Sequence, residues 1–590
     1  LQGITRGFEV YSPRTTQAEL NAAAKAPAAS RLLRSLFREE RFFLVLSVFI
    51  GVFSGLIVVS FRFAIDWCRI YLLGSGAQSS TMRLLLAPTL TGLLIAFLVI
   101  RFFPHARGSG VNQTKAAVYI YNGYIPLRTA VGKFIISALA IGSGQSLGPE
   151  DPSLQIGATI ASMLGRRIRL SRDRMRLIAP VGAAAGLAAA FDAPISAVLF
   201  VIEEVIGRWT AGILGSVVLS AVSSVVVTRW FMGSESLFRI PPVEMQRPSE
   251  LLAYVILGIV GGLASVVLAI GIEELRPRCR SLPQWTQYFQ PAVAGLLIGC
   301  IAALGAPQVM GAGYDYMDEA IHGHFTWQFL ALLALLKIVA TMLSFVSGTP
   351  GGMFAPTLFI GAMFGAAVGG VGHVLFPQLS WSPGTYALVG MGVLFAGFLR
   401  APMTSVFMVL EVSGNYSIIL PVIVANTFSY VISRGLHESA IFDVLTRQDG
   451  LDLPSMEEQR EENILRVEDA MRPSAIPVMN ARELQDSPEG TWDQDAPDAL
   501  LVRLEPSGWS LLTRRELEQL RRPDGNQTTE ALLASRKVPF LHPDHSLDMA
   551  LRYVDRWAVV PVVSRADFSK LEGVVDRDGV WERYQNSDLS

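Results

Sequence analysis

Two glutamates are the residues best placed for chemistry in this 590-residue chain. Glu150 lies in the turn Gly148-Pro149-Glu150-Asp151-Pro152, which opens an apolar helix, and Glu204 sits at the end of the apolar run 193–206. A charged residue at bilayer depth costs roughly 2.5–3.5 kcal/mol on insertion scales unless it is paired, protonated or wetted. Carboxyl groups kept there are expected to take up and release protons. A second chemistry comes from Gly-rich turns. Gly108-Ser109-Gly110 opens a short segment, and Gly351-Gly352-Met353-Phe354-Ala355-Pro356 precedes an apolar helix. The free N–H groups and partial positive charge of a helix N-terminus hold an anion without a full counter-charge, and Ser109 adds a hydroxyl. Several such ends meeting in lipid would bind an anion rather than a cation.

An internal duplication separates these residues from their background. Residues 133–158 align with 337–362 at an offset of 204, and ten of the 26 positions are identical, Lys133/Lys337, Gly148/Gly352 and Gly157/Gly361 among them. Ala193–Glu203 matches Ala401–Glu411 at an offset of 208. Two repeats in the same order, around 108–206 and 310–414, are the mark of a two-halved transporter with its site between the halves. A residue required by the fold should recur in both copies, whereas one required by chemistry need occur only once. Lys133/Lys337 and Glu203/Glu411 recur and read as structural, the lysines snorkelling or capping helix ends. Glu150 faces Phe354 in the second copy and Glu204 faces Val412, so both stand out as functional.

The elements that must position them are membrane helices. Hydrophobic residues make up 51% of the chain and charged ones only 17%, with mean hydropathy +0.40, against about 25% charged in soluble domains. The net charge of −1 hides a split: residues 1–450 carry 32 Lys and Arg against 23 Asp and Glu, and 451–590 carry 17 against 27. A basic apolar body with an acidic tail implies a membrane domain at 41–450, a soluble domain at 451–590 and a cytosolic segment at 1–40 without a secretory signal. Runs at 42–65, 84–103, 252–272 and 326–346 are long enough to span a bilayer. Those at 133–147, 153–164, 177–190, 194–206, 354–371, 385–399 and 402–412 are broken by Gly and Pro, which is tolerated at membrane depth only inside protein or along a polar cavity. The arginines of 166–176 read as a cytosolic loop, or alternatively as an anion-attracting vestibule. Cys68, Cys279 and Cys300 are too scattered for a disulfide framework or a metal site.

The motifs GSGVN (108–112), GPEDP (148–152), GGMFAP (351–356) and FDAPISAVLFVIEE (191–204) resemble the CLC family of chloride channels and chloride/proton exchangers over residues 40–450. The resemblance implies an all-α polytopic membrane fold of two inverted repeats of short broken helices, and a homodimer with one pathway per subunit. It puts Glu150 at the outer gate, Glu204 at the inner proton-transfer position, and the chloride at Ser109, Gly110 and the backbone N–H groups of Met353 and Phe354. Three departures stand out. Phe442 occupies the place of an inner tyrosine and lacks its hydroxyl. Pro149 and Asp151 replace the residues flanking the gate. Asn112 replaces a proline. Asp151 either repels Glu150 or faces water at the helix N-terminus, and the latter is expected.

The tail from Val467 to Tyr584 resembles a pair of CBS modules, an α/β domain with short strands such as 559–563. Thr513 and Glu516 have the spacing that holds an adenine nucleotide ribose in such modules; a dimerising tail without ligand is the alternative. The function expected is chloride transport across a lipid bilayer in exchange for protons, in a multi-pass protein of the inner membrane with cytoplasmic termini. No enzyme activity, metal, other cofactor or nucleic acid is expected. A gated chloride channel without proton coupling is the alternative. A magnesium channel would need acidic pore ligands in place of Gly, Ser and Phe.

Overall fold

A computed structural model describes residues 39–74, 80–207, 211–233, 238, 250–375, 382–451, 453, 465–474, 476–486, 499–504, 508–520 and 529–587. Most of the N-terminal segment and the side chain of Arg172 fall outside them. The chain divides into two units, Leu1–Leu451 and Asp452–Ser590.

In the first unit, α1 (Glu39–Leu73) and α2 (Thr81–Arg101) lead into α3 (Gly110–Tyr119), α4 (Leu127–Gly142), α5 (Glu150–Ile168), α6 (Arg172–Phe191), α7 (Pro194–Phe200) and α8 (Ala211–Met232). The second copy repeats that order: α9 (Leu251–Ser281), α10 (Gln290–Ala303), α11 (Tyr314–Ile321), α12 (Trp327–Val346), α13 (Phe354–Leu375), α14 (Pro383–Leu399), α15 (Pro402–Ser413) and α16 (Ile419–Leu436). A last short helix, α17 (Ile441–Gln448), has no counterpart in the first copy. Eight helices among the described residues are long and apolar enough to cross a membrane. Among these, α8 and the span Tyr416–Gln448 that contains α16 have no match in the segments expected from the sequence, because polar residues and Gly dilute their hydropathy.

The break between α6 and α7 recurs between α14 and α15. α6 ends at Asp192 (φ 56°) and α14 at Arg400 (φ 61°), both left-handed caps, followed by Ala and then Pro at the first position of the next helix. A left-handed residue stops a helix, and Pro suits the first turn, where its missing N–H is not needed. Neighbouring helices then close up through glycine. A Cβ on Gly157 would lie 2.2 Å from the Gly182 carbonyl oxygen, and one on Gly361 would lie 2.2 Å from that of Gly390. Small residues at such crossings let backbones pack where no hydrophobic drive exists.

The recurring charges brace this frame. Lys133 Nζ donates to the carbonyls of Ala106 (3.2 Å) and Gly108 (2.5 Å), and Lys337 Nζ donates to those of Val309 (2.9 Å) and Gly311 (2.7 Å). Both lysines are fully buried, so they do not snorkel; each holds the loop that opens α3 or α11. The recurring glutamates cross between copies. Glu203 accepts from the N–H groups of Met403 (3.3 Å) and Thr404 (2.9 Å), at the start of α15. Glu411 accepts from those of Ile195 (2.9 Å) and Ser196 (2.8 Å), at the start of α7. Reciprocal contacts of this kind follow from a two-fold relation between the halves.

The symmetry fails at one place in α7. Its continuation, Val201–Ile206, winds as a π-helix, whereas α15 stays α-helical to Ser413. Single π turns often mark functional sites, and this one carries Glu203 and Glu204.

In the second unit, β1 (Val478–Asn480), α18 (Ala481–Asp486), β2 (Ala499–Arg503), β3 (Trp509–Thr513) and α19 (Arg514–Leu520) form one βαββα module. β1 runs parallel to β2, β2 antiparallel to β3, and β3 antiparallel to β4 (Lys537–Val538). The second module repeats this arrangement: Leu541 pairs parallel with β5 (Val559–Val563), which pairs antiparallel with β6 (Leu571–Asp576). Helices α20 (Leu547–Val554) and α21 (Arg577–Ser587) complete it. Trp509, fully buried, donates from its indole N–H to the Phe568 carbonyl at 3.0 Å.

Removing a helix-capping side chain costs about 0.5–2 kcal/mol. Glu203→Ala and Glu411→Ala should therefore each lower the apparent Tm in detergent. Glu411→Gln, which keeps one acceptor oxygen, should lower it less.

Candidate functional site

The site is built on a backbone contact between the two copies. Gly148 N–H donates to the Gly352 carbonyl and Gly352 N–H to the Gly148 carbonyl, each at 2.8 Å. Neither residue has room for a side chain. A Cβ on Gly148 would lie 2.2 Å from a Glu150 carboxylate oxygen, and one on Gly352 would lie 2.8 Å from the Asp151 Cβ. The bridge sets the starts of α5 and α13 side by side, so the first turn of each points into the protein.

Glu150, the first residue of α5, is fully buried. Its Oε2 accepts from the Ala355 N–H at the start of α13 (3.3 Å), and the Tyr314 hydroxyl donates to its Oε1. The carboxylate thus occupies a helix N-terminus of the opposite copy. Asp151 is buried too, and its Oδ1 accepts from the Val111 N–H at 2.8 Å, with Ser109 Oγ at 3.5 Å. This corrects the expectation that Asp151 faces water. The bridge turns the first turn of α5 toward the start of α3, and Asp151 caps that end together with Ser109, whose Oγ also accepts from Val111 (3.2 Å).

Met353 and Phe354 lie buried at the start of α13. Phe442, in the first turn of α17, brings its ring to 6.2 Å from that of Phe354 and 6.3 Å from that of Phe200. Asn112 holds it there, donating from Nδ2 to the Phe442 carbonyl at 3.0 Å. A proline at 112 could not make this bond. Contacts thus run from Ser109 to Asp151, from the adjoining Glu150 to the start of α13 that carries Met353 and Phe354, and from the Phe354 ring to that of Phe442.

Glu204 is 2% exposed and lies toward the other end of α3. Lys115, 1% exposed, stands between it and Asp443: its Nζ is 3.3 Å from Glu204 Oε2 and 3.5 Å from Asp443 Oδ1. The same ammonium lies 5.8 Å from the centre of the Phe442 ring. Asp443 is the member of this trio that reaches solvent, with its side chain 18% exposed.

Tyr314, Lys115 and Asp443 were not singled out from the sequence. The signal for Tyr314 and Lys115 was the same broken symmetry that exposed the glutamates. At an offset of 203, Tyr314 falls opposite Val111 and Lys115 opposite Asp318. Asp443 lies beyond the repeats and offered no such signal.

Arg166 is exposed, with its guanidinium over the Tyr124 ring, and Arg176 donates to the Val118 carbonyl. In the second unit, Glu516 Oε2 accepts from the Thr513 N–H and hydroxyl, both at 2.8 Å, and its Oε1 lies 2.5 Å from Arg536 Nε. That is the geometry of a helix capping pair at the start of α19. No group of three or more His, Cys, Asp or Glu among the described residues could hold a metal ion.

The family model described as voltage gated chloride channel matches residues 91–434. The chain is 31% identical to a putative chloride channel protein, ClcB-like, of Ralstonia nicotianae (strain ATCC BAA-1114 / GMI1000), over 70% of this chain and 99% of that protein. It is also 31% identical to the H(+)/Cl(-) exchange transporter ClcA of Salmonella arizonae, over 70% of this chain and 91% of that one. The crystal structure of a slow cyanobacterial Cl−/H+ antiporter superposes with a TM-score of 0.64 at 26% identity, covering 69% of this chain and 97% of that chain. Bridged half-helices, twice-written breaks and these likenesses agree: the chain is a multi-pass integral membrane protein that belongs to the voltage-gated chloride channel family.

Proposed function

We propose that this protein carries chloride across a membrane in exchange for protons. The observation that supports this most is the seat of Glu150. A tethered carboxylate rests on the N-terminal N–H of α13, the kind of donor a chloride would use, so the two compete for one place. Protonation removes the charge that holds Glu150 there and lets the side chain leave. Chloride then takes the vacated end, between the backbone N–H groups of Met353 and Phe354 and the Ser109-Gly110 turn. The rings of Phe354 and Phe442 flank it with apolar walls, their positive edges suited to an anion.

Glu204 is the inner proton station in this reading. Glu204 and the Lys115 ammonium form one buried ion pair, and Asp443 links that cluster to solvent. A relative's exchange of H+ for Cl− supports the coupling. Phe442 favours the second reading, a gated chloride channel without proton coupling, because an inner gate without a hydroxyl holds the anion less tightly. The reading extends to a homodimer in the inner membrane with both termini cytoplasmic. In the tail, an adenine nucleotide would have to displace Glu516 from its contacts with Thr513 and Arg536.

In reconstituted liposomes, an imposed chloride gradient should drive protons uphill, read by an external pH electrode. Glu204→Gln should stop the proton movement while chloride efflux persists. Chloride efflux from wild-type vesicles with no proton movement would establish the channel reading instead. Lys115→Met strands two buried or half-buried carboxylates, and breaking a buried ion pair costs about 3–5 kcal/mol. The Lys115→Met/Glu204→Gln double variant should recover part of that loss in thermal unfolding.

A further inference from the structure

The two adjacent carboxylates of α5 divide the site between them. Glu150 sits on the N-terminus of α13 in the second copy, and Asp151 sits on the N-terminus of α3 in the first. In the second copy the position of Asp151 is taken by Ala355, whose N–H is the group that binds Glu150. Asp151 is therefore no part of the duplicated frame.

Its hydrogen bonding is incomplete. Oδ1 is engaged by Val111 and Ser109, but Oδ2 is buried and has no hydrogen-bond partner among the described residues. An orphaned carboxylate oxygen away from water is costly. Two events relieve it: Oδ2 takes up a proton, or the side chain leaves. A residue serving only as a cap has no use for either.

We propose that Asp151 is a second gating carboxylate, which competes with the permeant anion for the N-terminus of α3 and yields it on protonation. This rests on the chloride/proton reading above and adds a second proton-linked seat to it. The proton goes to Oδ2, the negative charge at the α3 terminus is lost, and an anion restores it by binding the Val111 N–H and the Ser109 hydroxyl. On release of the proton to water, Asp151 returns and expels the anion.

The charged groups around Asp151 are few. Lys133 on α4 is the cation that bears on it, held against the carbonyls of Ala106 and Gly108. Glu150 precedes it on α5, and Arg62 on α1 bears on Glu150. α3 carries no acid or base before Lys115, α13 carries only His373 near its far end, and the charges of α6 lie in its first turns. Those turns pack at the opposite end of α5, where Gly165 meets Met175.

The test is chloride binding to the purified full-length protein by isothermal titration calorimetry at pH 5.5 and 7.5. Wild type should bind more weakly at pH 7.5. Glu150→Gln, with the first gate neutral, should keep part of that pH dependence, and Glu150→Gln/Asp151→Asn should lose the remainder. Asp151→Asn keeps an acceptor for Val111 without the charge, so at pH 7.5 it should bind chloride at least about fivefold more tightly than wild type, the gain that the charge at a helix N-terminus accounts for by itself. Should Asp151→Asn not purify as folded protein, Asp151→Gly carries the same expectation. Wild-type affinity and pH dependence in the Asp151 variants would overturn the proposal and leave Asp151 a cap. Absence of chloride binding by wild type at both pH values would instead overturn the transport reading.

Discussion

Two hydrogen bonds between Gly148 and Gly352 are the contact on which the membrane unit depends. In lipid every backbone N–H and C=O must find a partner inside the protein, and a half-helix that starts at membrane depth leaves several without one. The bridge meets that demand by setting one interrupted start against the other. The bond pair is reciprocal, so whatever the first copy presents to the second is returned in kind. The other recurring contacts obey the same rule. Lys133 and Lys337 tie down the loops before α3 and α11, and Glu203 and Glu411 exchange caps between α7 and α15.

On this symmetrical frame the unmatched carboxylates Glu150, Asp151 and Glu204 all fall in the first copy. α5 begins Glu-Asp and α13 begins Phe-Ala, so the first copy supplies the carboxylates and the second supplies the N–H that receives one of them. The π turn after α7 has no twin, and it carries Glu204. Lys115 and Tyr314 are likewise found in one copy only. A symmetrical site would present the same charge to an ion at both ends. The asymmetry leaves a carboxylate, Glu150, on the start of α13 and a buried ion pair, Glu204 with Lys115, without a twin in the second copy.

Much of the frame was legible in the sequence because its signals are local or repeated. Hydropathy marks α1, α2, α9 and α12, and Pro after a left-handed residue marks the breaks at 192–194 and 400–402. Alignment of the copies isolates Glu150 and Glu204 without reference to relatives. What was not legible depends on contacts far apart in the chain. Asp151 follows the pattern of a solvated first-turn acid, and only the contact across some 200 residues turns it inward. Lys133 and Lys337 have the stems of snorkelling residues, but the carbonyls that anchor them belong to loops about 26 residues earlier. Lys115 and Asp443 come from separate helices, and no local pattern announces that they share Glu204.

The buried charges give a reason why an anion here should travel against a proton. With Glu150 and Asp151 seated, the N-termini of α13 and α3 each already hold one negative charge. A chloride arriving beside a seated carboxylate at about 4 Å would meet a repulsion of about 4 kcal/mol at an effective dielectric of 20. At 1.4 kcal/mol per decade that is a nearly thousandfold loss of occupancy. The hydrogen bonds of these termini do not offset it, because the Ala355 and Val111 N–H groups are already engaged by the seated carboxylates. The charge must be removed before the anion enters, and inside the protein a proton is the means a carboxylate has for that. Coupling then needs no lever between distant parts: one place cannot hold two negative charges, and one of them can be neutralised only from water.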